Sequence, residues 1–337
     1  MMSLVSRAPR TRASCRVLSL SLPALTGLAA VSGIADAQTI AGSYSADYSI
    51  GFNGTIAGIT TPYGGLIFQQ NNPNNLLLMG GANGGSGTLF SVPVTRGVGG
   101  HITNFGSPVL FATAPTNDGG LVYAPNGTLL YTRFSGNQIG EIKPGSGSTD
   151  KVVSLSPGVV SSVGTLQYVP SGFSNAGQLK IASYNGGGWY DATLTADGSG
   201  TYDITTSDTG VNSGHGPEGI IYVRAGNPDF SLNSILVSEY SAGGVFAYTA
   251  DANGNPIVAS RQDFITGLGG AEGGAIDPIT GDFVFSTFNG GNKVVVVHGF
   301  TNQAAATPEP GSLALLVGAG LSGGVFAFRR RRNRIRK

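Results

Sequence analysis

Five copies of one strand unit predict an all-β fold, a β-propeller of about five four-stranded blades, with six as the alternative count. Three observations carry this reading. A glycine leading a short apolar strand recurs at Gly64, Gly119, Gly164, Gly219 and Gly273, at intervals of 55, 45, 55 and 54 residues. Each copy continues through a Pro-, Asn- or Gly-rich turn into a second strand. No segment of the body sustains the 3.6-residue period of an amphipathic helix. Short, evenly spaced strands joined by Gly-rich turns are what radial repetition of small sheets produces.

The elements follow in order within each copy. After the leading strand, second strands are read at 77–79, 129–134, 179–184, 235–240 and 283–288. Four of them end on an aromatic, Phe134, Tyr184, Tyr240 and Phe288. Large rings at that position are expected to pack between neighbouring blades. A Ser/Asn/Gly turn comes next, where glycine supplies the positive φ of a tight hairpin. Third strands are read at 88–94, 188–195, 244–249 and 293–299, and outer strands at 151–155 and 261–265. The fifth copy is one strand short. Residues 44–52 are strand-like and belong to no copy. Pairing them beside 293–299 closes the ring at five blades and removes the open edges. A sixth blade hidden in 39–60 and the longer loops is the alternative. Over about residues 60–300 the unit resembles the NHL and gluconolactonase-type repeat of propeller proteins.

The N-terminus reads as a signal peptide, residues 1–37. Arg7, Arg10, Arg12 and Arg16 form a basic region without an acid, followed by the apolar stretch 17–31, which Pro23 breaks. About 15 residues are too few to span a bilayer comfortably. Ala35-Asp36-Ala37 supplies the small-x-small cleavage pattern, so the mature chain begins at Gln38. The single cysteine, Cys15, lies in the removed part, which leaves no disulfide and no thiolate metal site.

The other end, 304–337, combines three features. Pro308-Glu309-Pro310 sits in the motif 307–310, an apolar run fills 311–328, and Arg329, Arg330, Arg331 and Arg332 open the basic tail 329–337. As a helix the run is about 27 Å long, enough to cross a hydrocarbon core of about 30 Å. The Arg block stays cytoplasmic and everything before 311 lies outside. A nucleic-acid-binding tail needs no apolar run in front of it. A permanent anchor is the other alternative, since hydropathy does not see cleavage. This motif, helix and basic tail together resemble the PEP-CTERM sorting signal of Gram-negative bacteria. The resemblance implies export through the Sec machinery and an inner-membrane stage held by the helix. It then implies processing by an exosortase, a membrane protease, and release to the outer surface or the extracellular space.

Between the two signals lies the propeller domain, residues 38–303. Residues 38–306 hold eight basic and sixteen acidic side chains, a formal charge of −8. That excludes DNA, RNA and anionic lipid as partners of the body, because those need a basic surface.

Propellers place the loop entering each innermost strand on one face, around the axis. The residues just before the repeat glycines are Tyr63, Asp118, Val163, Glu218 and Glu272. Three acids would then converge: Asp118, Glu218 and Glu272 as candidate ligands for Ca2+, which needs several oxygens at once. His215, three residues before Glu218, would give an acid–imidazole pair of the kind used for general acid/base chemistry in lactonase- or lyase-type propellers. The bland alternative is that these acids cap turns and that His215 is a loop residue. Asp251-Ala252-Asn253-Gly254-Asn255 resembles the start of a Ca2+ loop, yet lacks the later glutamate and is first a hairpin signal. Trp189, Tyr190 and Tyr184 suit either a sugar platform or interblade packing. His101 and His298 have no partner at metal spacing and read as structural. No catalytic motif is assigned. The expectation is a non-catalytic surface or matrix module associated with exopolysaccharide or biofilm, with a metal-dependent lactonase or lyase as the alternative.

Overall fold

The computed structural model describes residues 38–301. The signal peptide 1–37 and the sorting tail 304–337, with its helix 311–328, lie outside the described residues. Among the described residues no helix is long and apolar enough to cross a membrane. Helical structure there amounts to two three-residue 3-10 turns, Val98–Gly100 and Val258–Ser260.

The strands form five antiparallel sheets, and the fold is a five-bladed β-propeller. Each sheet sets its first strand on the axis and steps outward by hairpins. The first strands are Tyr63–Gln69, Asn117–Tyr123, Val163–Tyr168, Pro217–Val223 and Ala271–Ile276. They contact one another in a closed ring, in chain order from blade 1 to blade 5 and back to blade 1. Second strands are Asn72–Gly80, Leu129–Arg133, Leu179–Ser183, Ser234–Glu239 and Phe283–Thr287.

Residues 76–79 in the second strand of blade 1 and 294–297 in the third strand of blade 5 read as unbroken apolar runs because both of their faces are buried. In blade 1, Leu76 and Leu78 pack toward blade 5, whereas Leu77 and Met79 pack toward blade 2. In blade 5, Val294 and Val296 face blade 1, and Val295 and Val297 face blade 4. The two-residue strand period therefore sends alternate side chains into successive interblade cores. Each fully buried aliphatic side chain stabilises the fold by about 1.5–3 kcal/mol.

Ring closure follows the sequence expectation. Ser49–Gly54 pairs antiparallel with Val294–His298, Ser49 opposite His298 and Gly54 opposite Val294, and completes blade 5. Residues 44–48 are a turn rather than strand, with Tyr48 N donating to Tyr44 O at 3.0 Å. The turn aims both tyrosines into one aromatic cluster with Phe230, Phe264 and Phe300. One element was not foreseen. Thr39–Ile40 adds a fifth strand to blade 4 beside Gln262–Thr266, so the N-terminal segment staples blade 4 to blade 5.

Candidate functional site

The axial ends of the first strands build the site. Every first strand carries a register shift there: between Tyr63 and Leu66, Asn117 and Leu121, Val163 and Thr165, Pro217 and Gly219, and Ala271 and Gly274. A bulge re-aims the extra residue away from the ladder. In blades 2, 4 and 5 the re-aimed residues include Asp118, Glu218 and Glu272. The strand register corrects the sequence alignment in blades 1 and 3. Tyr63 and Val163 stand one position earlier, opposite Gly80 and Ser183, as Asn117 stands opposite Arg133. Tyr63 points away from the axis, and its hydroxyl accepts from Ile56 N at 2.9 Å. The true equivalents of the acids in blades 1 and 3 are Gly64 and Gly164.

Those glycines make room. A Cβ on Gly164 would lie 3.0 Å from Glu218 Oε2. The repeat glycines therefore serve close approach at the axis, while the positive φ angles fall in the hairpins, for instance at Asn83, Ser135 and Asn289. First strands of neighbouring blades do not form a ladder, so hydroxyls bridge them. Thr132 Oγ1 accepts from Gly120 N at 2.8 Å and donates to Gly164 O at 2.9 Å, and Ser286 Oγ donates to Gly64 O at 2.6 Å.

Asp118, Glu218 and Glu272 are all essentially fully buried. Carboxylate oxygens of the three lie within 4.8 Å of one another. Asp118 Oδ2, Glu218 Oε2 and Glu272 Oε1 have no hydrogen-bond donor. Asn83, with its amide nitrogen turned inward, donates to Asp118 Oδ1 at 3.2 Å. Burial pushes the Asp118 carboxyl up to about 8, against the lowering effect of hydrogen bonds from Glu272, Gly119 N and Asn83. Burial first, and then the charge of Asp118, raises Glu218 well above the usual carboxylate range. Glu272 is raised by burial, by Glu218 and by Asp118. Three carboxylates this close and this dry do not all ionise without a compensating charge. The site takes protons or a cation.

Above the acids opens a cavity of about 310 Å³, lined by Asn83, Phe134, Tyr184, Tyr240 and Phe288 together with the trio. The four aromatics each follow directly on the last residue of a second strand. They do not fill interblade space as expected but stand half-buried around the mouth. Tyr240 packs edge-on against Tyr184 at 5.8 Å and Phe288 at 6.0 Å between ring centroids. Their place on the axial side follows from register, since each comes directly after the residue that pairs with the start of the first strand. Blade 1 has Gly81 at that position, which leaves the collar open on one side.

His215 sits at φ 59° in the loop before Pro217, is exposed, and is not among the residues lining the cavity. Trp189 is wholly buried with Nε1 donating to Ser213 Oγ at 3.0 Å, and Tyr190 is core as well. Of the three proposed platform rings only Tyr184 reaches the cavity. The Asp251–Asn255 segment is a hairpin turn in which Asp251 Oδ1 accepts from Asn253 N and Asn255 N. The reading of His101 and His298 as isolated is corrected by the fold. Chain positions 197 apart come together with ring centroids 4.8 Å apart, tilted at 37°, and Asp282 reaches both. Sequence spacing carries no trace of a contact made across the ring closure.

No family model matches the chain, and no curated protein matches it. Among solved structures, a glutaminyl cyclase from Myxococcus xanthus is 13% identical, with 75% of this chain and 96% of that one covered and a TM-score of 0.43. An auxiliary nutrient binding protein from Bacteroides ovatus is 14% identical over 74% and 76% of the two chains, at a TM-score of 0.39. A virginiamycin B lyase from Staphylococcus aureus is 16% identical over 76% and 89%, at 0.36. Likenesses of this size carry no argument about activity. The fold assignment rests on the strand pairing of this chain.

Proposed function

We propose that the protein is an exported, non-catalytic surface module whose axial cavity binds a hydroxyl-rich ligand, such as extracellular polysaccharide, through a divalent cation held by Asp118, Glu218 and Glu272. One observation carries this: three buried carboxylates, each with a donor-less oxygen, converge beneath a collar of four aromatic rings. An all-oxygen, triply acidic donor set suits Ca2+, which takes six to eight oxygens at about 2.3–2.6 Å and accepts ligand hydroxyls as readily as water. Aromatic faces pack against the apolar face of a sugar ring and leave its hydroxyls free for the cation. The open side of the collar at Gly81 lets a chain, rather than only a monomer, lie across the mouth. A lactonase- or lyase-type reaction would want an imidazole at the acids, and His215 is exposed and outside the cavity lining.

The address comes from the ends of the chain. The signal peptide and the PEP-CTERM-like tail support export through the Sec machinery and sorting by an exosortase in a Gram-negative envelope. Intact mass after expression with and without an exosortase tests this. A C-terminal Arg tail left unchanged in the exosortase-bearing host rules out processing and leaves a membrane-anchored domain.

Thermal unfolding with Ca2+ against a chelator tests the site. An ion that binds only the native state adds about 2.7 kcal/mol at a hundred times its dissociation constant. A glycan screen with and without Ca2+ then tests the ligand. No thermal shift removes the cation, and sugar binding indifferent to chelator separates the collar from the carboxylates.

A further inference from the structure

We propose that His101, His298 and Asp282 form a second ion site, chemically distinct from the axial one, for a borderline divalent metal of the Zn2+, Co2+ or Ni2+ kind on the outer seam between blades 1 and 5. The three side chains come from separate elements. His101 lies between the 3-10 turn Val98–Gly100 and the strand Ile102–Phe105 of blade 1. Asp282 precedes the second strand of blade 5, and His298 ends its third strand.

Their ligand atoms all lie within 4.8 Å of one another. His101 Nδ1 is 2.7 Å from Asp282 Oδ1, and His298 Nε2 is 3.6 Å from Asp282 Oδ2. Tetrahedral ligands at bonds of about 2.0–2.2 Å stand about 3.3–3.6 Å apart. The two separations straddle that edge, so a small opening of the exposed His101 ring admits an ion. Two imidazoles and one carboxylate are the donor set of a three-ligand zinc site with an open position, and imidazole selects Zn2+, Ni2+ or Cu2+ over Ca2+ or Mg2+.

The surroundings hold the ligands in place. Asp282 is fully buried, and its Oδ2 accepts from Ile102 N at 2.9 Å. His298 Nε2 donates to Ile102 O at 3.0 Å, a proton and a bond that it gives up when it takes the ion. The His298 ring lies over Gly51, where a Cβ would fall 2.0 Å from its Cε1. That glycine sits at the register shift between Ile50 and Phe52 in the closing strand, so the ring's place depends on the seam being shut. Beside it, Arg96 already neutralises the neighbouring buried carboxylate Asp277 at 2.6 Å and 2.9 Å, which leaves Asp282 to the imidazoles. The His101 ring is 39% exposed and His298 22%, so the outward side is open to an entering ion and to water as its remaining ligand. An ion here would bridge the first blade to the last.

The test is titration of the mature protein with Zn2+ in saturating Ca2+, followed by calorimetry, with Co2+ absorption reporting coordination. The expected result is one Zn2+ per chain, weakened at least about tenfold in His101→Ala and in His298→Ala and unchanged in Glu218→Gln. Circular dichroism for all three variants, and the retained Ca2+ shift for the two histidine variants, show that they fold. Three results overturn the proposal: no Zn2+ uptake, uptake undiminished in the double histidine variant, or uptake lost in Glu218→Gln alone, which would move the ion to the axis. Four- to six-coordinate Co2+ absorption that disappears with His298→Ala supports it.

Discussion

Gly119 and Glu218 compete for one space at the propeller axis: a Cβ on Gly119 would lie 2.1 Å from the main-chain oxygen of Glu218 and 2.8 Å from its carboxylate Oε2. Glu218 of blade 4 fits at the axis because position 119 of blade 2 carries no side chain. Gly119→Ala is expected to lower stability by about 1–3 kcal/mol or more, since backbone yields less readily than a side chain. It is also expected to remove the Ca2+ response by displacing Glu218. Urea unfolding with and without Ca2+ measures both, and an unchanged midpoint with an intact response contradicts the packing argument.

Glu218→Gln and Glu272→Gln are expected to act in opposite directions with and without cation. In chelator at pH 8 each amide removes a buried ionisable group and supplies a donor to the remaining acids, so stability holds or rises by about 1 kcal/mol. With Ca2+ present the variants gain nothing. A variant that is destabilised in chelator and still responds to Ca2+ places the ion elsewhere.

The cation-free protein is expected to lose stability as pH rises. Asp118, pushed up to about 8 by burial, and Glu141, pushed up to about 7 by burial, are raised above their unfolded values, as are Glu218 and Glu272. The folded state then holds protons that the unfolded chain releases. The contribution is complete below about pH 4 and is lost as pH climbs through 7 and 8, at up to about 1.4 kcal/mol per pH unit for each such group. Glu141 lies in blade 2, where it accepts from Tyr202 N at 2.9 Å, so part of the slope persists with Ca2+ while the axial part flattens. Chemical unfolding from pH 5 to 8.5 reads this directly. Stability that increases over that range runs against the raised values.

Local periodicity made the blades legible, because each blade is built from strands adjacent in sequence. Ring closure was legible too, from an unassigned strand and an unfilled edge. The partner of Thr39–Ile40 was not, since two residues carry no pattern and their pairing with Gln262–Thr266 joins positions 227 residues apart. At the axis the acid types in the glycine-led repeat marked Asp118, Glu218 and Glu272. The one-residue error at Tyr63 and Val163 came from bulges, which shift the face without changing the composition. The aromatic positions were right and their direction was wrong, since whether the end of a strand faces a neighbour or the axis depends on register. His101 and His298 were read as separate because only tertiary closure brings them together.

Tyr48→Ala is expected to cost about 3–5 kcal/mol. The ring packs against Phe300 at 4.4 Å, Phe264 at 5.5 Å and Phe230 at 6.0 Å, and its hydroxyl donates to Pro228 O. Losing it detaches the N-terminal staple from blades 4 and 5. If the seam positions His298, the same variant lowers Zn2+ uptake more than the axial Ca2+ shift. Denaturant midpoints and the two metal titrations decide, and an equal loss of both metals means general unfolding instead.

Tyr240→Ala separates binding from catalysis at the cavity. Tyr240 stands between Tyr184 and Phe288 in the collar, so its removal takes away the central stacking face without touching the carboxylates. The expected outcome is a loss of saccharide affinity of about tenfold, near 1.4 kcal/mol, with the Ca2+ thermal shift retained. His215→Ala is the companion variant. A binding module leaves affinity and Ca2+ response unchanged by it, because His215 is exposed and outside the lining. An acid–imidazole enzyme loses turnover of a lactone or glycan substrate while keeping its Ca2+ shift. Saccharide affinity that survives Tyr240→Ala, together with turnover abolished by His215→Ala, would reverse the proposed function and place the chemistry at the loop before Pro217.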